Sequence, residues 1–248
     1  QPLRFQLGNP VLTDGHSTGR FFRKGMMASG FTPEKTLPAL VSEAEAYLER
    51  NARKPFFLYL ALSSPHAPWA PDAPFAGKSP IGPYGDLVAQ TDAAVGRVLA
   101  TLSRLNLTEN TLVIFTSDNG AFWFEEDIRR TGHRANGDER GLKADSYEGG
   151  SHVPLLVQWK GRVKANVRSA QLICLTDLYA TLAEATQSPL TDPGAAEDSF
   201  SFWSTLRNTP RRNPVRESLV VTSGRGGMFA IRRGDWKLIM GLGSAGFS

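Results

Sequence analysis

Cysteine is almost absent from this chain, and the single cysteine lies in an apolar segment. Cys174 is alone in 248 residues, so no disulfide can form within the chain. It lies in the apolar run of residues 172–175, where a buried, inert thiol is more common than a nucleophile. The sequence therefore predicts neither a disulfide scaffold nor cysteine catalysis.

Long hydrophobic runs and concentrated positive charge are also lacking. No stretch of about 18 apolar residues occurs, so we expect no membrane span. The net charge of +4 comes from 28 Lys and Arg against 24 Asp and Glu, and it is thinly spread. Because no stripe of basic residues alternates with aromatics, the sequence predicts no nucleic-acid partner. The positive balance is interpreted as solvated surface or as attraction for small anions.

The start of the sequence has no secretory signal, and Gln1 stands where an initiator Met would be expected. We therefore expect the chain to be processed or cut from something longer. Glycines punctuate residues 1–30, which predicts a long loop there with at most one short strand.

The composition is that of an ordinary globular chain, 41% hydrophobic and 21% charged. Two apolar segments, residues 56–62 and 111–117, suit buried strands, and a helical pattern over 86–104 separates them. This order predicts a right-handed βαβ unit in a mostly parallel sheet flanked by helices, an α/β fold. The same periodicities predict helices at 32–54, 175–183 and 200–206, a strand at 153–159, and a small C-terminal antiparallel sheet of strands at 218–222, 228–232 and 236–240.

An acid and an amide, Asp118 and Asn119, directly follow the strand predicted at 111–117. Ligands bind at the carboxyl ends of strands in open α/β sheets, and both side chains offer the oxygen that Ca²⁺ and Mg²⁺ prefer. His66 follows the strand predicted at 56–62, which places it at the same edge of the predicted sheet. The alternatives are an ordinary Asp-Asn-Gly turn and a surface histidine.

A second long loop, residues 120–152, carries His133, Lys143 and Glu148. Its length marks it as functional or disordered. At this point the sequence resembles the sulfatase family of the alkaline-phosphatase-like superfamily, of arylsulfatase type. The segments that carry the resemblance are residues 54–68 (KPFFLYLALSSPHAP), 117–120 (SDNG), 141–154 (GLKADSYEGGSHVP) and 231–238 (IRRGDWKL), which resembles the family's terminal hairpin.

The resemblance implies a role for each candidate residue. Asp118 and Asn119 would be ligands of a catalytic Ca²⁺, or of Mg²⁺ as in some relatives. His66 and Lys143 would hydrogen-bond the sulfate ester oxygens and the leaving group, and His133 is a candidate further substrate contact, with a surface histidine as the alternative. A cation, an ammonium and an imidazolium suit a sulfate ester because its leaving oxygen gains negative charge at cleavage.

The sequence departs from the family pattern at the nucleophile. The family's formylglycine is made within a Cys/Ser-x-Pro/Ala-x-Arg signature, and neither that signature nor the paired Asp-Asp half of the metal site is present. Residues 1–185 are therefore interpreted as a partial, N-terminally truncated sulfatase domain, 186–216 as a linker and 217–248 as a small antiparallel subdomain. We expect metal binding by this chain alone to be weak or absent, since Ca²⁺ takes six to eight oxygen ligands.

Three functions remain open at this point. The first is hydrolysis of sulfate esters, the second is phosphodiester or phosphonate hydrolysis on the same anion site, and the third is a non-catalytic module that binds anions or a partner. Because the truncation would uncover an apolar sheet, we expect a homo-oligomer or a missing N-terminal portion that covers it. Periplasmic, secreted or lysosomal location is typical of the family.

Overall fold

The computed structural model describes residues 5–8, 25–188, 192, 194–224 and 226–248. Most of the loop predicted for residues 1–30 lies outside these residues. Within them, β1 (Phe5–Gly8) pairs antiparallel with β2 (Gly25–Ala28), so the expectation of at most one strand there was wrong. The chain divides into two compact units, residues 1–108 and 109–248. The predicted boundaries at 185 and 216 stay a prediction.

The helices formed where apolar residues recur with helical spacing, and short turns of 3₁₀ helix precede two of them. Among the described residues the α-helices are α1 (Thr36–Asn51), α2 (Pro83–Arg104), α3 (Glu125–Thr131), α4 (Glu148–Ser151), α5 (Leu178–Ala185) and α6 (Trp203–Leu206). None of the helices in these residues is long and apolar enough to cross a membrane. The predicted helices at 32–54, 86–104, 175–183 and 200–206 are thus confirmed to within a few residues.

In the first unit, α1 and α2 pack through Leu37, Val41 and Ala94, and Leu62 covers the same cluster. Residues 56–62 join no strand ladder among the described residues, so the predicted central strand is wrong for this part of the chain. A strand needs a neighbour for its backbone groups, and Phe57 and Tyr59 are 75% and 82% exposed, not covered on both faces.

In the second unit, β3 (Val113–Thr116) pairs with β4 (Leu155–Gln158). The pairing is antiparallel, as are the other strand ladders of the described residues, so the parallel pairing that the sequence predicts is not found among them. Trp159 follows β4 and packs on Trp203 of α6, with ring centroids 5.8 Å apart.

The C-terminal strands form the small antiparallel sheet that the sequence predicts. β5 (Ser218–Thr222) pairs with β6 (Phe229–Arg233), which in turn pairs with β7 (Trp236–Ile239). The close spacing of three apolar segments with glycine between them was a sufficient signal for this meander.

Candidate functional site

The turn after β3 is held by its own side chains. The Ser117 hydroxyl donates to the carbonyl O of Asn119 at 3.0 Å, and Nδ2 of Asn119 donates to the carbonyl O of Gly120, also at 3.0 Å. Asp118 is exposed and Asn119 is half-buried. These bonds engage the amide nitrogen of Asn119, so its oxygen is the group left to accept from, or coordinate, a ligand.

Gly120 lies against the start of α4, and only glycine fits there. Its N–H donates to the carbonyl O of Gly150 at 3.0 Å. A Cβ at position 120 would lie 1.8 Å from the carbonyl O of Gly149, a distance that no real Cβ contact has. The glycine that ends the Asp-Asn-Gly turn is therefore required by close backbone packing.

Asn136 joins this turn to the segment that carries Lys143. Its Oδ1 accepts from the N–H of Ala121 at 2.7 Å, and its Nδ2 donates to the carbonyl O of Ala121 at 3.0 Å and of Gly141 at 3.3 Å. The N–H of Lys143 donates to the same Ala121 carbonyl at 3.1 Å. The Asp118–Asn119 turn and Lys143 thus belong to one hydrogen-bonded framework. Sequence reasoning missed Asn136, because its partners are 5 and 15 residues away and leave no local pattern.

Lys143 lies between buried Leu142 and buried Asp145. No carboxylate is paired with its ammonium in the part of the chain that the structure describes, and its side chain is half-buried. An ammonium in this setting suits an anionic ligand, because no carboxylate among the described residues competes with the ligand for it. The backbone of Lys143 is bonded to Ala121, two residues after Asn119, and the placement of its ammonium in an anion site stays a prediction.

Asp145 bonds the Lys143 segment to the C-terminal end of the chain. Its carboxylate accepts from the N–H groups of Leu142 at 2.8 Å, Phe247 at 2.7 Å and Ser248 at 3.1 Å. Burial alone would raise the pKa of Asp145, but these hydrogen bonds outweigh it and lower the pKa below its usual value. Asp145 is a second residue that the sequence did not single out, because two of its three partners lie about 100 residues further along the chain.

Glu148 ties the same segment to the C-terminal sheet. It opens α4 and accepts from the Arg232 guanidinium and from Nζ of Lys237, the latter at 2.7 Å. Burial works to raise the pKa of Glu148, but the hydrogen bond from Lys237 and the charges of Lys237 and Arg232 bring the pKa below its ordinary range.

The loop predicted at 120–152 is therefore ordered, and it contains α3 and α4. The acidic first turn and basic last turn of α3 could have revealed that helix.

His133 is exposed at the end of α3. Its carbonyl O accepts from the indole N–H of Trp123 at 2.9 Å, and its ring meets that indole edge-on with centroids 6.0 Å apart. The ring is therefore positioned by Trp123 and open to solvent. A contact between His133 and substrate stays a prediction.

His66 belongs to the first unit, whereas the other candidates belong to the second. Its ring is exposed, and Nδ1 lies 2.5 Å from the carbonyl O of Ala67. A carbonyl can only accept, so Nδ1 is the donor in this contact. Its use in an anion site stays a prediction.

A metal centre of several protein ligands is not found within the described ranges, where no three His, Cys, Asp or Glu side chains converge. Asp118 and Asn119 are hard oxygen donors on one rigid turn, which suits part of the coordination sphere of Ca²⁺ or Mg²⁺.

Comparison with known proteins identifies the family of this chain. A family model described as Sulfatase matches residues 30–188. An N-acetylgalactosamine-6-O-sulfatase of Bacteroides thetaiotaomicron is 34% identical over 88% of this chain and 43% of its own length. A steryl-sulfatase of Rattus norvegicus is 42% identical over 58% of this chain and 25% of its own length.

A solved structure supports the fold as well. It comes from work on the metabolism of multiple glycosaminoglycans by Bacteroides thetaiotaomicron, with a TM-score of 0.77 and 33% identity over 87% of this chain and 46% of that one. The predicted α/β fold class is thereby confirmed. The chain spans less than half the length of these relatives. Over the part that it spans, family model, relatives and fold agree, and this chain belongs to the sulfatase family.

Proposed function

We propose that the protein hydrolyses sulfate esters, and that this chain supplies an anion-binding ammonium and part of a divalent metal site. The observation that supports the proposal is the framework through Asn136 and Ala121, which bonds the backbone of Lys143 to the segment after the Asp118–Asn119 turn, in a chain that matches the sulfatase family. An acid–amide turn alone is common, but an acid–amide turn bonded to a lysine segment is what an anion site with a cation needs.

Lys143 and His66 are the proposed catalytic residues. A sulfate ester carries one negative charge and gains more on the leaving oxygen as its S–O bond breaks. The Lys143 ammonium stabilises that charge, and His66 donates a hydrogen bond or a proton to the leaving oxygen when its imidazole is protonated. His133 contacts the substrate from the solvent side.

Asp118 and Asn119 are the proposed metal ligands. Sulfatases generally use a divalent metal, and when bound it polarises the sulfate and offsets its charge. Ca²⁺ takes six to eight oxygens, of which these two residues supply about two or three, so binding by this chain alone is weak. The carboxylate of Asp118 is exposed and able to reach a cation.

The nucleophile lies outside this sequence in the proposed reaction. The formylglycine signature is absent here, so the chain by itself is expected to bind sulfate esters without turning them over. The names of the relatives differ in the group that carries the sulfate, a hexosamine in one and a sterol in another, and share the sulfate ester. That ester is the substrate class we propose.

The test is an assay of the whole gene product and of this chain on p-nitrophenyl sulfate and on bis-p-nitrophenyl phosphate. We expect the whole product to prefer the sulfate ester and Lys143→Ala to abolish turnover with the thermal midpoint unchanged. Lys160→Ala is the matched control, since Lys160 is exposed and paired with Glu109 outside the framework. Preference for the phosphodiester would support the phosphodiesterase alternative, and inertness toward both esters would support the non-catalytic one.

A further inference from the structure

Residues 244–248 pack against the Lys143 segment within the second unit. The N–H of Ser146 donates to the carbonyl O of Ser244 at 2.9 Å. Both serines are buried, so water has little access to this hydrogen bond. We call residues 244–248 the 244–248 segment, and its further contacts show that it reaches both halves of the proposed site.

The carboxylate of Asp145 divides its two oxygens between the segments that it joins. Oδ2 accepts from the N–H of Leu142, within the Lys143 segment, at 2.8 Å. Oδ1 accepts from the N–H of Phe247 at 2.7 Å and from that of Ser248 at 3.1 Å. Hydrogen bonds to an ionised acceptor are stronger than those to a neutral one, so Asp145 holds the two segments firmly together.

Gly246 shows how closely the 244–248 segment approaches Asp145. A Cβ at position 246 would lie 2.0 Å from Oδ1 of Asp145 and 2.6 Å from its Cα, so only glycine fits there. The N–H of Gly246 also donates to the Ser244 hydroxyl at 3.1 Å. The backbone that leads into Phe247 is therefore fixed on Asp145.

The ring of Phe247 reaches the other half of the site. It meets the ring of Phe122 edge-on, with centroids 5.1 Å apart and planes at 78°. Phe122 directly follows Ala121, whose carbonyl O accepts from the N–H of Lys143. Phe122 also meets Phe124, the residue before α3, with centroids 4.6 Å apart. Edge-on aromatic pairs attract one another beyond their burial, so these rings hold Phe247 against the chain that follows Ala121.

Phe247 is thus bonded to both segments of the site, through its N–H to Asp145 and through its ring to Phe122. This connection does not use Asn136, which joins the same two segments through Ala121 and Gly141. A single link leaves two segments free to rotate about it, whereas a second link at a different place fixes their relative position.

We propose that Phe247 is a positioning residue for sulfate-ester hydrolysis, which holds the Lys143 segment in register with the Asp118–Asn119 turn. The inference rests on the proposed function, because it assigns Phe247 a role in that same site. A shift of about 1 Å in a reacting group costs on the order of 100-fold in rate. The loss falls on kcat rather than on KM, since the charge that Lys143 stabilises develops only in the transition state.

The first test is the kinetics of the whole gene product on p-nitrophenyl sulfate. We expect Phe247→Ala to lower kcat by about 10-fold or more and to change KM by less than about twofold. Phe247→Tyr keeps the ring and should keep kcat within about twofold of the wild type. Phe200→Ala is the matched control, because Phe200 is 46% exposed, as against 39% for Phe247, and its ring packs on Arg216 instead.

The second test is hydrogen exchange in this chain, which needs no turnover. In Phe247→Ala the amides of Leu142 and Lys143 should exchange about 10-fold faster, while those of α2 keep their rates. If Phe247→Ala does not fold, Phe247→Leu takes its place with the same expectations, since leucine is apolar but has no ring.

The inference is overturned by an unchanged kcat in Phe247→Ala, by a fall that Phe247→Tyr or Phe200→Ala shares, or by unchanged exchange at Leu142 and Lys143. A wild-type product that does not hydrolyse sulfate esters would instead contradict the proposed function. In that case the exchange rates alone decide whether Phe247 holds the Lys143 segment.

Discussion

Two segments have similar apolar strand patterns, but only one of them pairs with another strand. Residues 113–116 form β3, pair with β4, and lead into a turn that is bonded to the Lys143 segment. Residues 56–62 join no strand ladder within the described chain, and the carbonyl O of Phe57 accepts from the Tyr47 hydroxyl instead. The first segment ends in Asp118 and Asn119, and the second leads to His66.

The contrast shows that an apolar pattern reveals what a segment needs but not whether it finds a partner. Both segments require a neighbouring strand to satisfy their backbone groups. In the second unit β4 supplies it, whereas residues 56–62 leave Phe57 and Tyr59 exposed. Candidate residues after β3 are therefore rigidly placed, and His66 is held by local contacts.

The largest effect is expected from Gly120→Ala. The added methyl would collide with the carbonyl O of Gly149, so we expect a loss of about 4 kcal/mol in the free energy of unfolding of the second unit. Gly96→Ala is the matched control, since Gly96 lies within α2 with open space around its Cβ position and should gain up to about 1 kcal/mol. Urea unfolding followed by tryptophan fluorescence measures both, and a neutral Gly120→Ala would contradict the close packing.

A loss of about 2 kcal/mol at neutral pH is expected from Asp145→Asn, because a neutral amide cannot accept as strongly from three backbone N–H groups. The folded-state pKa of Asp145 lies below its unfolded value near 3.9. Its stabilisation is therefore present above about pH 4 and is lost as pH falls through the folded pKa. Thermal midpoints measured from pH 7 down to pH 3 should converge for wild type and variant, and parallel curves would disprove the assignment.

Asn136→Ala should loosen the framework by about 1 to 2 kcal/mol, since it removes three hydrogen bonds. Hydrogen exchange is the sharpest readout. The amides of Ala121 and Lys143 should exchange faster, while those of α2 in the other unit serve as the internal control and keep their rates. Equal protection in variant and wild type would show that Asn136 does not join the two segments.

The smallest change in stability is expected from His66→Ala. His66 is exposed and its one described contact is with the neighbouring Ala67, so the free energy of unfolding should change by less than about 0.5 kcal/mol. The proposed catalytic role instead requires a large loss of sulfate-ester turnover in the whole gene product. A His66→Ala variant that loses stability but keeps its sulfate-ester turnover would contradict both expectations.

The sequence predicted most elements but only part of the site. Regular periodicity placed α1, α2 and the C-terminal strands within a few residues, because each buries one apolar face. The Asp118–Asn119 turn was found from its position after a strand. Asn136 and Asp145 were missed because their hydrogen bonds join distant parts of the chain, and pairing of residues 56–62 could not be judged without knowing its neighbours.

The Asp118–Asn119 turn and the Lys143 segment together form the proposed cation-and-anion site. Titration with Mn²⁺, followed by paramagnetic broadening of backbone amide signals, tests most directly whether the two segments lie in one site. We expect weak binding, joint broadening of the amides at 119–121 and 142–144, and loss of both effects in Asp118→Ala, while amides of α1 stay sharp. Broadening of one segment alone, or broadening that Asp118→Ala leaves unchanged, would contradict the account.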